Sequence, residues 1–599
     1  MSILGVEDNA LKGGARSAKC AGLGIAVLAV LVLLGAYVGY LQLVQTDELT
    51  VHASRQQDYM MYVPGERGSM YDRKGVLLAR CVPRYDLALR IEQVRDPRDS
   101  RRRTLDKVCT EMADLGSYLG PKFYQERPTR EDVLRHIRLN TPLPFPLWRE
   151  LDSETTARWA ARRADVPGTE TTLAWKREYY QTNTTFHVRG FCGYDQPAVL
   201  PDFPRLHIGT LELRGRDGIE DALDASLRGD GGYELLRTDV MAFRREVTHR
   251  HPARRGEDCC ISIDTALQSR IEALFREDGL VGALVILDAK TGEVLASVSE
   301  PSPGIPPTKD VPEGANVNRV VAGYYPPGST LKPLVAMAAL RAGVVTPDEE
   351  IECCGGYELP NGHVVSCSSR WGHGPISMKR ALATSCNTYF CELAVRLGRR
   401  RISTIGAPVG FGRKLQTELW RQEIPGILYS PEWAREKRRN NPQWALGDSA
   451  NAGIGQGAWI VTPLQLAVGI TAVVTGKLVH PTFLHASEYA QPPEDLGWDA
   501  AMREVVKDGM RGCVEQGTGK RLQMLGVDLL GKTGTAQVGH GQRSNALCVA
   551  AFPGDDPHIV GVCVLEHAGS GGKEAAPVLR LALIMTMAAG YGFPQPDAP

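Results

Sequence analysis

The sequence predicts a mixed α/β (α+β) protein: an α/β sandwich domain behind a smaller mixed α/β region, anchored by one N-terminal transmembrane helix. Three observations carry this expectation. An uncharged apolar run lies near the N-terminus. Strand-like segments near 258–300 and again near 530–565 enclose a helix-rich stretch, the pattern of one sheet interrupted by inserted helices. Between the apolar run and residue 255, charge-rich helical segments and short strand-and-turn segments alternate.

From Cys20 to Thr46 there is no charged residue, and "AGLGIAVLAVLVLLGAYVGYLQL" exceeds the roughly 20 residues one helix needs to cross a bilayer. Lys12, Arg16 and Lys19 precede it, so the positive-inside rule keeps residues 1–19 in the cytoplasm, makes 20–43 the anchor and exports the rest. The run is longer than a signal-peptide core, and no small-x-small cleavage site follows it.

Residues 48–255 read as one mixed α/β unit, and "CCISIDTALQSRIEALFRE" opens a second, 258–592, with a strand and then a helix from about Asp264. "GALVILDAKTGEVLASVS" is a hairpin with a Thr-Gly turn. A helix-rich segment is expected over about 329–400 and an irregular one over 410–450. "IGQGAWIVTPLQLAVGITAVV" reads as a turn and an apolar helix. The strands "DLLGKTGTAQVG", "NALCVAAFPG" and "HIVGVCVLEHAG" lead to a last helix from about Ala575 to Ala589.

Lys+Arg and Asp+Glu are equal at 69 each, which excludes the basic footprint of a nucleic-acid binder. Fourteen cysteines in an exported chain ordinarily mean disulfides, yet Cys259-Cys260 and Cys353-Cys354 are adjacent pairs that rarely bridge each other.

Three short motifs carry chemistry. In "YYPPGSTLKPLVAMAAL", Pro326, Pro327 and Gly328 put the expected helix start at Ser329 or Thr330, with Pro333 in the first turn. Ser329 and Lys332 then share a face: a nucleophile, and a base once burial or a neighbouring cation lowers the lysine pKa. On this stretch alone the bland reading is the better one, with Ser329 a helix cap and Lys332 a solvated residue, because S-x-x-K is common by chance. In "ALATSCNTYFCELA", Ser385 can relay a proton and Asn387 can hold a substrate carbonyl. In "LLGKTGTAQVG", Lys532, Thr533 and Thr535 sit on a strand, positioned to hold a carboxylate and a developing oxyanion. Gly534 lets another backbone come close. S-x-x-K, S-x-N and K-T-G in that order are the signature of penicillin-recognising serine enzymes.

From about residue 48 onward the chain resembles a class B penicillin-binding protein, a membrane-anchored peptidoglycan DD-transpeptidase. "ERGSMYDRKGVLLA" matches a segment of that family's non-catalytic pedestal through Arg67, Gly68, Asp72, Arg73 and Gly75. "GRDGIEDALDASLRGDGG" matches a second pedestal segment through Gly218 and Glu220. "RWGHGPISMKRALATSCNTYF" resembles the elongation-type (penicillin-binding protein 2) subgroup, with the septal type as runner-up; S-x-N departs from the S-x-D of several elongation enzymes.

The resemblance implies acyl transfer. Ser329 is the nucleophile, Lys332 the general base and Ser385 the proton relay to the leaving D-Ala. Asn387 binds the donor backbone, and Lys532, Thr533, Gly534 and Thr535 bind the terminal carboxylate and oxyanion. It also implies β-lactams as acylating ligands, a SEDS-type glycan polymerase and the elongation complex as partners, an inner-membrane location with the catalytic domain outside the cytoplasm, and no cofactor for the chemistry. A serine β-lactamase and a β-lactam sensor are the other classes that use these motifs; hydrolytic turnover of penicillin marks the first and several membrane spans the second.

Cys353, Cys354, Cys367, His373 and Cys386 cluster between the first two motifs. Some elongation-type relatives bind zinc through Asp, Asp, His and Cys, and the resemblance selects Cys353, Cys367, His373 and Cys386 as the matching set for a structural zinc. A Cys367–Cys386 disulfide is the competing reading.

Overall fold

The structure is a computed structural model describing residues 7–46, 58–96, 98–139, 144–162, 166, 168–181, 184–195, 211–238, 244–303, 311–438, 443–486, 490–539 and 541–592. Residues 1–6 of the expected tail, residues 48–57 of the expected pedestal, and the side chains of Lys12, Arg16 and Lys19 lie outside the described set. Helix α1 (Glu7–Leu43) contains the apolar run, and Ala21–Leu43 is long and apolar enough to span a membrane, with none of it buried against the described residues.

The N-terminal domain opens with β1 (Asp58–Val63), β2 (Met70–Tyr71) and β3 (Leu77–Leu89). Helices α2 (Arg101–Leu119) and α3 (Arg130–Leu139), strand β4 (Phe145–Trp148) and helix α4 (Ser153–Arg162) follow. β5 (Thr169–Tyr179) then returns antiparallel along β3, from Leu89–Thr169 to Ala79–Tyr179. Ser100 caps α2 by accepting from the Arg103 N–H. The helix turns Leu105, Val108, Met112, Leu115 and Leu119 inward at helical spacing onto Leu87, Leu89 and Trp148. Two short helices, α5 (Phe186–Arg189) and α6 (Gly218–Ala222), flank the ribbon β6 (Cys192–Asp195) and β7 (Glu212–Gly215). β8 (Gly232–Thr238) pairs with β1 and with β9 (Arg244–His251).

The two pedestal motifs, far apart in sequence, meet in space. Arg67 donates to Glu220 Oε2 at 2.6 Å, to Asp224 at 2.7 Å and to the Glu220 carbonyl at 2.6 Å. Arg177 on β5 donates to the other Glu220 oxygen at 2.8 Å and to the Gly68 carbonyl at 2.6 Å. Glu220 is fully buried between the two guanidiniums, and their charges hold its carboxyl below the usual range against the opposing effect of burial. Gly68 has no room for a side chain, since a Cβ there would lie 1.9 Å from the Glu257 carbonyl.

β10 (Cys259–Cys260) pairs in parallel with β2 and leads into the C-terminal domain. Helix α7 (Thr265–Glu277), capped by Asp264, precedes the hairpin β11 (Gly282–Asp288) and β12 (Val294–Glu300). Then come α8 (Arg319–Ala322), α9 (Lys332–Arg341) and four short strands, β13 (Ile351–Cys353), β14 (Gly356–Glu358), β15 (Val364–Ser366) and β16 (Gly374–Ile376). Helices α10 (Met378–Thr384), α11 (Asn387–Arg401) and α12 (Pro463–Thr475) are followed by a small pair, β17 (Lys477–Leu478) and β18 (Glu494–Asp495), and by α13 (Ala500–Glu515). The chain closes with β19 (Leu530–Ala536), β20 (Asn545–Phe552), β21 (Ile559–Leu565) and α14 (Ala576–Ala588).

The main sheet is five-stranded and antiparallel in the order β12-β11-β21-β20-β19, with first and last strands of the domain side by side. Successive residues of a strand face opposite ways. Leu284 and Ile286 therefore pack with α7 and α14, while Ala283, Val285 and Leu287 join the larger core around α9 and α12. With both faces covered, the central strands β11, β21 and most of β20 are apolar, while β12 and the edge strand β19 carry buried polar residues.

Three sequence expectations change. Residues 351–376 are two small antiparallel strand pairs, not helix; Gly355, Gly362, Gly372 and Gly374 all take positive φ and break the helical path. The stretch 410–450 contains two helices, Pro431–Lys437 and Leu446–Gly453. The nucleophile segment enters as a 3-10 turn, Gly328–Leu331, so the α-helix proper begins at Lys332 and not at Ser329 or Thr330.

Candidate active site

Ser329 sits in the 3-10 turn between Gly328, at φ +52°, and the buried start of α9. The turn is held by the Gly328 N–H donating to Gly455 O at 3.0 Å and by Thr330 Oγ1 donating to Pro327 O at 2.6 Å. Helix α9 is buried all round from Lys332 to Leu340, so the lysine begins a helix fully buried itself. Its Nζ donates to Ser385 O at 2.8 Å, to Asn387 Oδ1 at 2.7 Å and to Ser385 Oγ at 3.2 Å. Burial, then the charge of Lys532, pull its pKa down to about 7, a value suited to a general base near neutral pH. Among the described residues no hydrogen bond joins Ser329 Oγ to this amine. Catalytic hydrogen bonds are often loose before substrate arrives.

Ser385 closes α10 in the left-handed region, at φ +58° and ψ +41°. A non-glycine residue there costs about 1–2 kcal/mol. The conformation aims its hydroxyl between two amines: Lys532 Nζ donates to Ser385 Oγ at 2.9 Å, opposite the 3.2 Å contact from Lys332. Among the described residues, Ser385 is thus the one side chain that accepts from both buried lysine amines. Asn387 is more committed than its expected substrate role implies. Its Oδ1 accepts from Lys332, and its Nδ2 donates to Ser366 O on β15 at 2.9 Å, leaving one amide proton for a ligand.

Lys532, Thr533, Gly534 and Thr535 lie on β19, the edge strand beside the serine turn. Lys532 is fully buried, donates also to Thr533 O at 3.0 Å, and has its pKa lowered by that burial. The close neighbour of Gly534 is the serine turn itself: a Cβ would come within 3.0 Å of Thr330 Cγ2 and 3.2 Å of Pro327 O. Thr533 shares a 2.7 Å hydroxyl contact with Thr518.

Two adjoining clefts, of about 530 and 260 Å³, both include Ser329. The smaller brings Ser385, Asn387, Thr533, Gly534 and Thr535 to Ser329, together with Thr518 and Ser570, which the sequence reading missed. The larger adds Asn451, Gln456 and Gln537, also missed. Asn451 lies in the helix Leu446–Gly453 and the others outside helices and strands, none in a motif spacing, so only the fold assembles them.

The Cys/His cluster stands behind the second motif. Cys353 Sγ and Cys367 Sγ lie 3.5 and 3.6 Å from His373 Nδ1, and Cys367 and Cys386 sulfurs are 3.8 Å apart without a bond. All four donor atoms fall within 4.8 Å of one another; Cys354 is exposed and outside the set. A tetrahedral zinc with bonds of about 2.3 Å to sulfur and 2.0 Å to nitrogen separates its ligands by about 3.5–3.8 Å, so this donor set fits such an ion. The hydrogen bond from Cys386, helped by backbone N–H groups of Ser369, Thr388 and Asn387, holds the Cys367 thiol well below its usual range, while Cys386 is pushed up as the donating partner.

A serine and a lysine one helical turn apart, a bridging hydroxyl and a second buried lysine on the edge of a helix-covered sheet are the parts a serine acyl-transfer centre would need. The chain belongs to the penicillin-binding protein family: residues 282–583 match the model described as "Penicillin binding protein transpeptidase domain", and residues 62–260 the "Penicillin-binding Protein dimerisation domain". Among curated proteins it is 30% identical to the peptidoglycan D,D-transpeptidase MrdA of Acinetobacter baumannii, over 93% of this chain and 86% of that one. Among solved structures, penicillin-binding protein 2 of Pseudomonas aeruginosa superposes with a TM-score of 0.63 at 26% identity, covering 90% of this chain and all of that one. The Helicobacter pylori homologue, solved with MreC, gives a TM-score of 0.72 at 23% identity, over 89% of this chain and 100% of that one, which shows a shared fold.

Proposed function

We propose that this protein is an elongation-type peptidoglycan D,D-transpeptidase that cross-links stem peptides through an acyl-enzyme at Ser329. The observation that carries this reading is that Ser329 and Ser385 line one cleft while the Ser385 hydroxyl accepts from the buried amines of both Lys332 and Lys532, with the Lys332 pKa near 7. Relatives named as peptidoglycan D,D-transpeptidases over most of the chain support the substrate class.

Neutral Lys332 takes the proton of Ser329 Oγ as the oxygen attacks the penultimate D-Ala carbonyl. Backbone N–H groups of Ser329 and Thr535 receive the oxyanion. Lys532, Thr533 and Thr535 hold the terminal carboxylate, and the remaining Asn387 amide proton holds the donor backbone. The proton passes from Lys332 through Ser385 Oγ to the departing D-Ala nitrogen. A second stem peptide's amine then attacks the ester, gives up its proton by the same route, and releases Ser329 with a new amide bond formed.

Cys353, Cys367, His373 and Cys386 would hold a structural zinc, which supplies no chemistry to the reaction. Bound there, it would brace the start of α11, because Cys386 lies between Ser385 and Asn387 and the Asn387 N–H donates to Cys367 Sγ at 3.3 Å. The domain limits are 1–19 for a cytoplasmic tail, 20–43 for the anchor, 48–255 for the pedestal and 258–592 for the transpeptidase. Helix α1 holds the enzyme in the cytoplasmic membrane with both folded domains outside the cytoplasm. A SEDS-type glycan polymerase and the elongation complex are its partners; a homologue's complex with MreC supports that setting. Labelling with a fluorescent penicillin tests the reading: wild type should carry one stable adduct and Ser329→Ala none, and equal labelling of both refutes it.

A further inference from the structure

The loop that precedes the Pro431 helix is an unassigned joint between the two domains. Gln422, in this loop, is half-buried and uses both ends of its amide. Its Nε2 donates to Asp217 Oδ1 at 2.7 Å, at the start of α6, and to the His187 carbonyl at 3.2 Å, in α5. Both partners belong to the pedestal. Its Oε1 accepts from Asn318 Nδ2 at 2.7 Å, in the transpeptidase domain. Beside it, Arg421 pairs with Asp221 of the pedestal at 2.6 Å.

Asn318 is buried and caps α8, accepting from the Val320 N–H at 3.3 Å. Ile424 N–H donates to Val321 O at 3.2 Å, so the loop grips α8 at a second point. The next residue, Arg319, is fixed by Ser299 Oγ, which accepts from its N–H at 3.0 Å, and donates to Glu566 Oε1 at 2.9 Å. The same carboxylate oxygen accepts from Tyr325 Oη at 2.7 Å, and Tyr325 opens the Pro-Pro-Gly-Ser run that ends on the nucleophile. Apart from the exposed Arg421, each contact joins buried or half-buried groups, so the chain from Gln422 to the Ser329 turn is contiguous.

We propose that Gln422 is a positioning residue for acylation, setting the nucleophile turn through Asn318, α8 and the Arg319–Glu566–Tyr325 contact according to where the pedestal stands. The proposal rests on Ser329 being the acylated residue. Gln422→Glu is the informative change, because it keeps the acceptor for Asn318 but removes the donor to Asp217 and sets two carboxylates face to face. Asp217→Asn in the same chain restores a donor–acceptor pair of reversed polarity.

The test measures acylation of the full-length protein in detergent by a fluorescent penicillin across its concentration range, with a thermal melt of each variant. Gln422→Glu should lower the saturating acylation rate about tenfold while the half-saturating concentration stays within twofold, and the D217N/Q422E pair should recover to within threefold of wild type. Asn318→Asp, which cuts the same chain on its other side, should lower the rate similarly and add little to Gln422→Glu. A wild-type rate in Gln422→Glu, no recovery in the folded double variant, or fully additive losses would overturn the proposal. If Gln422→Glu does not fold, Asn318→Asp alone decides: a wild-type rate overturns, a tenfold loss at unchanged half-saturation supports. Absence of labelling in wild type would instead strike at Ser329 as nucleophile.

Discussion

Removing the charge of Lys532 should move the pH profile of acylation toward alkali. Lys332 and Lys532 each approach Ser385 Oγ, at 3.2 and 2.9 Å, so their amines are no more than about 6 Å apart. At an effective dielectric of about 20, two unit charges at that separation repel by about 3 kcal/mol, or about two pKa units. Burial is the larger cause of the Lys332 depression and survives the substitution, so its pKa should rise from about 7 toward 8–9 without reaching the ordinary lysine value. The sign follows from the role. Neutral Lys332 is the active form, so acylation rises with pH through its pKa, and a raised pKa starves the base at neutral pH. Lys532→Met should therefore be about five- to fifty-fold slower at pH 7 and regain much of the loss near pH 9, while Lys532→Arg keeps a midpoint near 7. The assay is the saturating acylation rate with a fluorescent penicillin from pH 5 to 10, which separates chemistry from carboxylate binding. A Lys532→Met midpoint that stays put or moves toward acid refutes the coupling, and with it Lys332 as the base.

The left-handed backbone of Ser385 separates strain from chemistry. Ser385→Gly and Ser385→Ala should both acylate about 100-fold more slowly, but the glycine variant should melt higher because it sheds about 1 kcal/mol of backbone cost; thermal melts showing the opposite order contradict the strain. Glu220→Gln leaves Arg67 and Arg177 without a buried counter-charge and should cost about 3–5 kcal/mol in denaturant unfolding. A loss below 1 kcal/mol would mean the two guanidiniums are solvated after all. Purified protein should carry one equivalent of zinc by metal analysis and lose it in Cys367→Ser, with Cys353 and Cys386 becoming reactive toward a thiol reagent; metal-free wild type with three freely reactive thiols contradicts the site.

The sequence makes the catalytic motifs legible because each needs fixed residues at fixed short spacing: Ser329 to Lys332 across one helical turn, Lys532 to Thr535 along one strand. The anchor and the main-sheet strands are equally legible, since burial demands long apolar runs. What stays hidden is whatever depends on long-range assembly. Nothing local marks Ser385 as left-handed, and the 3-10 entry of the nucleophile differs from an α-helical one by a single hydrogen-bond step. The strands of 351–376 are three residues each, too short for a periodicity to show. Thr518, Asn451 and Gln456 belong to no motif with a fixed spacing, and Gln422 faces residues more than two hundred positions away in the pedestal. Arg67 and Glu220 sit between these cases: each belongs to a recognisable segment, but only the fold shows that they form one buried ion cluster.

The central claim is that the Ser329 ester is resolved by an amine and not by water. The most direct measurement follows uncross-linked glycan strands with the membrane-embedded enzyme, counting D-Ala released against cross-linked dimers formed. The account predicts one D-Ala per cross-link, with both products lost in Ser329→Ala. Release of D-Ala without cross-links in the presence of acceptor strands, or cross-links that persist in Ser329→Ala, would contradict it.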